Sequence, residues 1–133
     1  MKGFLLLALS LVISCSGKTE VVGHHPNGLI ERKGYLDDEG FRTGKWTIWN
    51  DDGGKNEEGP YENGKREGIW TRWYENGAKY EEGPYKNGKR EGVWTRWHEN
   101  GWKWAEGPYK NGNRKGVWTY WASNGERLTP KTY

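Results

Sequence analysis

The sequence contains little of what usually builds a globular core. It has one cysteine and one methionine in 133 residues, and only 32% of its residues are hydrophobic. Most of its leucine, isoleucine and valine lies within the first 30 residues. Helical bundles and layered α/β domains need aliphatic residues along the whole chain, so neither class is expected here.

The chain also lacks an excess of charge of one sign. Its 21 basic and 18 acidic residues leave a net charge of +3, which by itself indicates no acidic partner. Aromatic residues and glycine are abundant instead, with 10 tryptophans, 8 tyrosines and 21 glycines. Disordered chains are poor in tryptophan and tyrosine, so this composition argues against disorder.

The amino-terminal residues have the pattern of an export signal. Lys2 precedes an apolar run over residues 4–13, which is shorter than the roughly 20 residues that span a bilayer. Such a run is typical of a secretory signal peptide. The sequence ending at Cys15 (Val-Ile-Ser-Cys) resembles the lipobox of bacterial lipoproteins, in which the peptide is cut before the cysteine and its thiol receives a diacylglycerol.

The lipobox resemblance implies a signal peptide over residues 1–14 and a lipidated Cys15. It implies that the protein lies in the bacterial cell envelope, with the membrane contacted through the acylated cysteine. Ser16 follows the cysteine where aspartate would retain a lipoprotein in the inner membrane, so we expect the outer membrane, facing the periplasm. An acylated Cys15 leaves no thiol for a disulfide.

Residues 15–26 are predicted to form a lipid-anchored flexible tether, because they are mostly small or polar. This segment contains His24 and His25, whose side chains would point to opposite sides of a strand. His98 is the one other histidine, and a metal site needs three or four converging ligands. No metal site is therefore expected.

The rest of the chain, residues 27–133, repeats with a step of 24 residues. The step places tryptophan at two positions of each unit and Asn-Gly or Asp-Gly at the unit's turns. The first unit is irregular and the last is half a repeat, which gives about four repeats in all. A fixed step of this size indicates an array of similar units. The two tryptophan series are Trp46, Trp70, Trp94, Trp118 and Trp49, Trp73, Trp97, Trp121.

Two Asn-Gly turns in each unit predict two strands. Asn-Gly favours the type I′ hairpin turn, and a two-residue turn at Asn76-Gly77 would place Trp73 opposite Tyr80 and Trp70 opposite Gly83. The same construction places Trp97 opposite Trp104. Glycines at these positions would seat an indole from a neighbouring strand. The predicted fold is all-β, an elongated single-layer antiparallel sheet of tandem 24-residue β-hairpin repeats.

The spacing of these motifs resembles the MORN repeat, and more narrowly a bacterial MORN variant whose members include YwqK-family antitoxins. The resemblance rests on Asn-Gly, glycine followed two residues later by tyrosine, a second Asn-Gly, and Gly-x-Trp-x-x-Trp, between residues 27 and 133. It implies an elongated hairpin array that associates with proteins or lipids. It supplies no catalytic residues.

The sequence does not predict an enzyme or a cofactor. Paired carboxylates occur at Glu57-Glu58 and Glu81-Glu82, but neighbouring strand residues point to opposite faces, so salt bridges are expected there instead of acid–base chemistry. Three histidines and one acylated cysteine cannot supply a nucleophile with its base. We expect no catalytic residues, no cofactor-binding residues and no cofactor.

Candidate interaction residues are the two tryptophan series and a basic row along one turn edge. Rows of tryptophan suit contacts with a protein or with sugar rings. The basic row is expected to be mainly a solvated edge, with anionic lipid headgroups as an alternative use and no nucleic-acid binding. This row contains Lys65, Arg66, Lys89, Arg90, Arg114 and Lys115.

The function expected from the sequence is that of a non-enzymatic envelope lipoprotein whose repeat array is a protein-interaction scaffold. The protein partner is unidentified. Two alternatives stay open: a carbohydrate-binding module for peptidoglycan or a surface glycan that uses the tryptophans, and an immunity or antitoxin partner.

Overall fold

The computed structural model describes the backbone of residues 10–14 and all of residues 17–133. Residues 1–9 of the predicted signal peptide and the predicted lipidation site Cys15 lie outside the described residues. Within the described residues, none of the regular elements is a helix, so none could cross a membrane as one.

The strands of the described residues follow one another through turns. They are β1 (Ser10–Ser14), β2 (Lys18–His24), β3 (Ile30–Leu36), β4 (Arg42–Trp49), β5 (Lys55–Glu62), β6 (Lys65–Arg66), β7 (Gly68–Trp73), β8 (Lys79–Lys86), β9 (Lys89–Arg90), β10 (Gly92–Trp97), β11 (Lys103–Lys110), β12 (Asn113–Arg114), β13 (Val117–Tyr120) and β14 (Lys131–Thr132).

These strands form one antiparallel sheet in which neighbours in the chain are neighbours in space. Its order is β1-β2-β3-β4-β5-β7-β8-β10-β11-β13-β14, and the short strands β6, β9 and β12 pair with β5, β8 and β11. The first and last strands do not pair, so the sheet is open at both ends. The predicted elongated sheet of tandem hairpins is confirmed.

The sheet begins further upstream than the predicted array. Residues 18–24, which the sequence assigns to a flexible tether, form β2 and pair with β3 through contacts such as Val21↔Gly34. Val21 is buried, which gives this segment a reason to join the sheet. Strand β1 pairs with β2 from Ser10↔Val22 to Ser14↔Lys18. Its residues belong to the predicted signal peptide, so cleavage before Cys15, which stays a prediction, would leave β2 at the edge.

The two Asn-Gly series adopt different turns. Asn63 has a φ of 49° and is followed by Gly64 at 75°, as the predicted type I′ turn requires, and the later copies repeat this geometry. In the other series, Gly77 has a positive φ of 82° but Asn76 does not. Its loop closes with Gly77 N donating to Tyr74 O and Tyr74 N donating to Ala78 O. It is a three-residue loop, and the predicted two-residue turn is wrong there.

The extra loop residue shifts the register at the end of each hairpin. Trp70 lies opposite Gly83 as predicted, but Trp73 lies opposite Lys79 and not Tyr80. Trp97 likewise lies opposite Lys103, so the predicted pair with Trp104 is wrong. The cause is a β-bulge, which places two successive residues against one residue of the partner strand and turns both towards the same face.

Strand alternation divides the side chains between two faces. We name them by their cations. The arginine face carries Trp46, Trp70, Trp94, Trp118, Tyr61, Tyr85, Tyr109, Glu57, Glu81, Arg72 and Arg96. The lysine face carries Lys55, Lys79, Lys103, Glu58, Glu82, Glu106, Thr47, Thr71, Thr95, Ile69, Val93, Val117, Trp49, Trp73, Trp97 and Trp121.

The core lies on the arginine face, where each indole covers a glycine of the strand before it. Trp70 lies over Gly59 and Trp94 lies over Gly83, and a Cβ built on either glycine would come closer than 3.0 Å to the indole. The prediction that these glycines seat indoles is therefore confirmed. The seat of each indole is the glycine of the preceding repeat, while its register partner is the glycine of the following strand.

Candidate interaction surfaces

The first tryptophan series forms the core and cannot be a contact surface. Trp46, Trp70, Trp94 and Trp118 are only 0–2% exposed. They alternate with tyrosines in edge-to-face contacts, with ring centroids 5.1 Å apart for Tyr61 and Trp70 and 5.2 Å apart for Tyr85 and Trp94. Such pairs stabilise a fold beyond their buried area. The prediction that this series offers an interaction surface is wrong because the neighbouring strands cover it.

The predicted basic edge is divided between solvent and core. Lys65, Lys89 and Lys115 are exposed at the turns, as a solvated edge requires. The arginines of the row turn onto the arginine face instead. The guanidinium carbon of Arg66 lies 4.0 Å from the ring centroid of Trp70, and that of Arg90 lies 4.1 Å from that of Trp94. Arg114 stacks on Trp118 in the same way, at 4.6 Å.

Two buried carboxylates hold these arginines. Glu81 is 1% exposed and accepts hydrogen bonds from Arg90 at 2.5 Å, Arg72 at 3.2 Å and Arg96 at 3.1 Å. Glu57 takes the same place one repeat earlier, with Arg66 at 2.5 Å. Sequence reasoning identified these glutamates as salt-bridge partners but not as part of the core. The signal was their 24-residue step opposite arginine.

The lysine face is laced by a polar row across the strands. Glu106 accepts hydrogen bonds from Lys103 Nζ at 2.6 Å and from the Thr95 hydroxyl at 3.0 Å, and earlier repeats repeat this arrangement. The hydrogen bond from Lys103 lowers the pKa of Glu106, with Thr95 adding to the effect against an opposing rise from burial. The row keeps this face polar along the middle of its strands.

The second tryptophan series lies on the lysine face and is half-buried. Each indole carries the ammonium of a lysine from the preceding repeat, at 5.4 Å for Lys55 over Trp73 and 5.6 Å for Lys79 over Trp97. These contacts lie within the range of a cation–π interaction. Trp49, Trp73, Trp97 and Trp121 therefore stay available at a surface, unlike the first series.

Sequence reasoning missed an exposed apolar row on the same face. Ile69, Val93 and Val117 are 54%, 58% and 58% exposed. Ile69 lies opposite Pro84 and Val93 opposite Pro108, so the prolines extend the row across the intervening strands. We call these five residues the apolar row. Its sequence signal was a β-branched residue just before each core tryptophan, at the same 24-residue step.

The histidines and turn asparagines tie neighbouring repeats together. His98 Nε2 donates to the carbonyl of Trp121 at 3.0 Å, and His25 reaches Trp49 in the same way. The Asn100 amide donates to Ser123 O at 2.7 Å while its oxygen accepts from Trp102 N. Within the described part of the chain, no three His, Cys, Asp or Glu residues converge as metal ligands do.

Comparison with known families agrees with this geometry. The model of the MORN repeat variant matches residues 66–87 and residues 90–111. No curated protein is significantly similar to the chain. Each match begins in the short strand after a type I′ turn, crosses the core tryptophan and ends at the next such turn. The chain therefore contains two adjacent MORN-variant repeats, at residues 66–87 and 90–111, set in an open sheet of similar units.

Proposed function

We propose that the repeat array is a non-enzymatic scaffold that binds a partner protein on its lysine face. The apolar row carries the proposal. Soluble proteins seldom expose contiguous apolar residues without using them, and this row recurs in register along the sheet. MORN-variant repeats point in the same direction, since a repeat array presents an extended surface for binding.

The apolar row and the second tryptophan series could be used by one partner. They lie on the same face, at opposite ends of the strands, with the Thr–Glu–Lys row between them. Successive repeats are two strands apart, about 10 Å. Tryptophan and branched apolar residues with a polar surround match the composition of protein hot spots. A segment laid along the array would meet the same chemistry at each repeat.

The proposal places this scaffold at a membrane through Cys15. A lipidated Cys15 would hold the array in the cell envelope, on the outer membrane and facing the periplasm. Fractionation of cells that express Cys15→Ser tests this part separately. Release of the variant into the soluble fraction supports the anchor, and retention at wild-type level contradicts it.

Glycan binding is the second candidate, and it rests on the half-buried indoles of the second series. Trp73 and Trp97 are partly open to solvent and repeat along one face, as stacking on sugar rings requires. This use would need the indoles and not the apolar row. The two candidates therefore differ in which substitutions abolish binding.

In-cell crosslinking followed by identification of the captured molecule tests the scaffold directly. We expect a protein to be captured from a photoreactive residue placed at Val93, and Ile69→Ser with Val93→Ser to abolish the capture. Leu128→Ser is the matched control, because Leu128 is an exposed apolar residue outside the row. Equal capture by all variants contradicts the proposal. Retention on purified sacculi that is lost only in Trp73→Ala with Trp97→Ala favours the glycan.

A further inference from the structure

The third repeat differs from the two before it at the buried carboxylate. Glu57 and Glu81 are separated by one repeat, and the residue one repeat later is Ala105. The arginine that binds each carboxylate is nevertheless present in all three, as Arg66, Arg90 and Arg114. Arg114 therefore has the setting of a carboxylate-binding arginine without the carboxylate.

The guanidinium of Arg114 is only partly used. Its Nη1 donates to the phenol oxygens of Tyr120 and Tyr133, both at 3.0 Å. Among the described residues, its Nε and Nη2 have no hydrogen-bond partner, and no buried side-chain nitrogen or oxygen is left unpaired. Nε and Nη2 are therefore open to solvent. Together they form the edge with which arginine grips a carboxylate through two parallel hydrogen bonds.

The surroundings of Arg114 favour an anion. Tyr120 and Tyr133 have their oxygens 2.8 Å apart, so one donates to the other and the second keeps a proton for a further acceptor. Tyr109 lies nearby, with its oxygen 3.4 Å from Arg96 Nη2. Burial alone would raise the pKa of Tyr109, but Arg114, Arg96 and Arg90 bring it below its usual 10. The phenols thus sit in a positive potential.

We propose that Arg114, Tyr120 and Tyr133 bind a carboxylate of an acidic peptide segment, an aspartate or glutamate side chain. Carboxylate is favoured over other anions because a glutamate meets the equivalent guanidinium in the two preceding repeats. The site lies on the arginine face at the carboxyl-terminal end of the array. It does not depend on whether the lysine face binds a protein.

The test is a titration of the full chain with acetyl-tetraglutamate amide, followed through the arginine Nε–H signals in NMR. We expect the Arg114 signal to shift and saturate, and acetyl-tetraglutamine amide to leave it in place. Arg114→Gln should weaken binding about tenfold or more, since a charged hydrogen-bonded pair is lost. Arg42→Gln is the matched control, because Arg42 also stacks on a tryptophan and donates to a single phenol.

A second variant supplies the missing carboxylate from within. Ala105→Glu combined with Tyr120→Arg gives the third repeat the residues of the second and keeps Arg114, so the peptide should no longer bind. Three results would overturn the proposal: equal shifts with the glutamine peptide, unchanged affinity in Arg114→Gln, or equal loss in Arg42→Gln. Tighter binding of inorganic phosphate at the same ionic strength would assign the site to phosphate and also overturn it.

Discussion

Replacing Gly83 by alanine should be among the most damaging single changes in this chain. The new Cβ would come closer than 3.0 Å to the indole of Trp94, which is itself 1% exposed and has no room to retreat. Gly83 does not have a positive φ, so alanine adds no backbone strain and the effect is steric. Forcing extra volume into a packed site costs about 1–3 kcal/mol.

Displacement of Trp94 adds the loss of its contacts. Its indole N–H donates to Pro84 O at 3.0 Å, worth about 0.5–1.5 kcal/mol, and its edge-to-face contact with Tyr85 is worth about as much. We expect Gly83→Ala to lower the free energy of unfolding by about 3 kcal/mol or more. Gly77→Asn is the control, because nothing lies within 4 Å of a Cβ there and asparagine tolerates positive φ.

Urea unfolding followed by far-UV circular dichroism measures both variants, with the slope compared between them to check that the same surface unfolds. A loss of less than about 1 kcal/mol in Gly77→Asn is expected. If Gly83→Ala were as stable as the control, the indole would not be locked on the glycine. The explanation of the core would then be wrong.

The other predictions concern single side chains. Trp70→Ala should cost about 3–5 kcal/mol, and Trp73→Ala about half as much because its indole is half-buried, both measured by urea unfolding. Glu81→Gln should cost about 3–5 kcal/mol, since three arginines lose their counter-charge, and a change below about 1 kcal/mol would contradict the buried network. The lowered pKa of Glu106 adds stability above its usual 4.5 that is lost as the pH falls through the lowered folded-state value. Glu106→Gln should therefore flatten the decline in stability between about pH 5 and about pH 3, and an unchanged profile would contradict this assignment.

The repeat step was enough to predict the fold. Tryptophan every 24 residues and Asn-Gly at the turns fixed the hairpins, and the pairing of Trp70 with Gly83 followed from period-2 geometry. What the pattern could not separate was the conformation of two identical dipeptides. Asn63 takes positive φ, whereas Asn76 uses its side chain, accepting from Ala78 N at 2.9 Å. Only the flanking chain decides between these two uses of asparagine.

The surfaces were harder to predict because strand alternation does not say which face is covered. Both tryptophan series look equivalent in the sequence, yet only the one facing Gly59 and its equivalents is buried. Arg66 was assigned to a solvated edge because it follows a turn. Its long side chain reaches back over Trp70 to Glu57, a contact between positions nine residues apart that charge patterning alone does not reveal.

Removal of one whole repeat tests most directly that the units stack in an open sheet and contact only their neighbours. Deletion of residues 66–89 removes 24 residues and joins Lys65 to Arg90, which restores the motif around the turn. Small-angle X-ray scattering should show a folded chain whose longest dimension is shorter by about 10 Å, the width of two strands. An unfolded chain, or a folded one with the original longest dimension, would contradict the account.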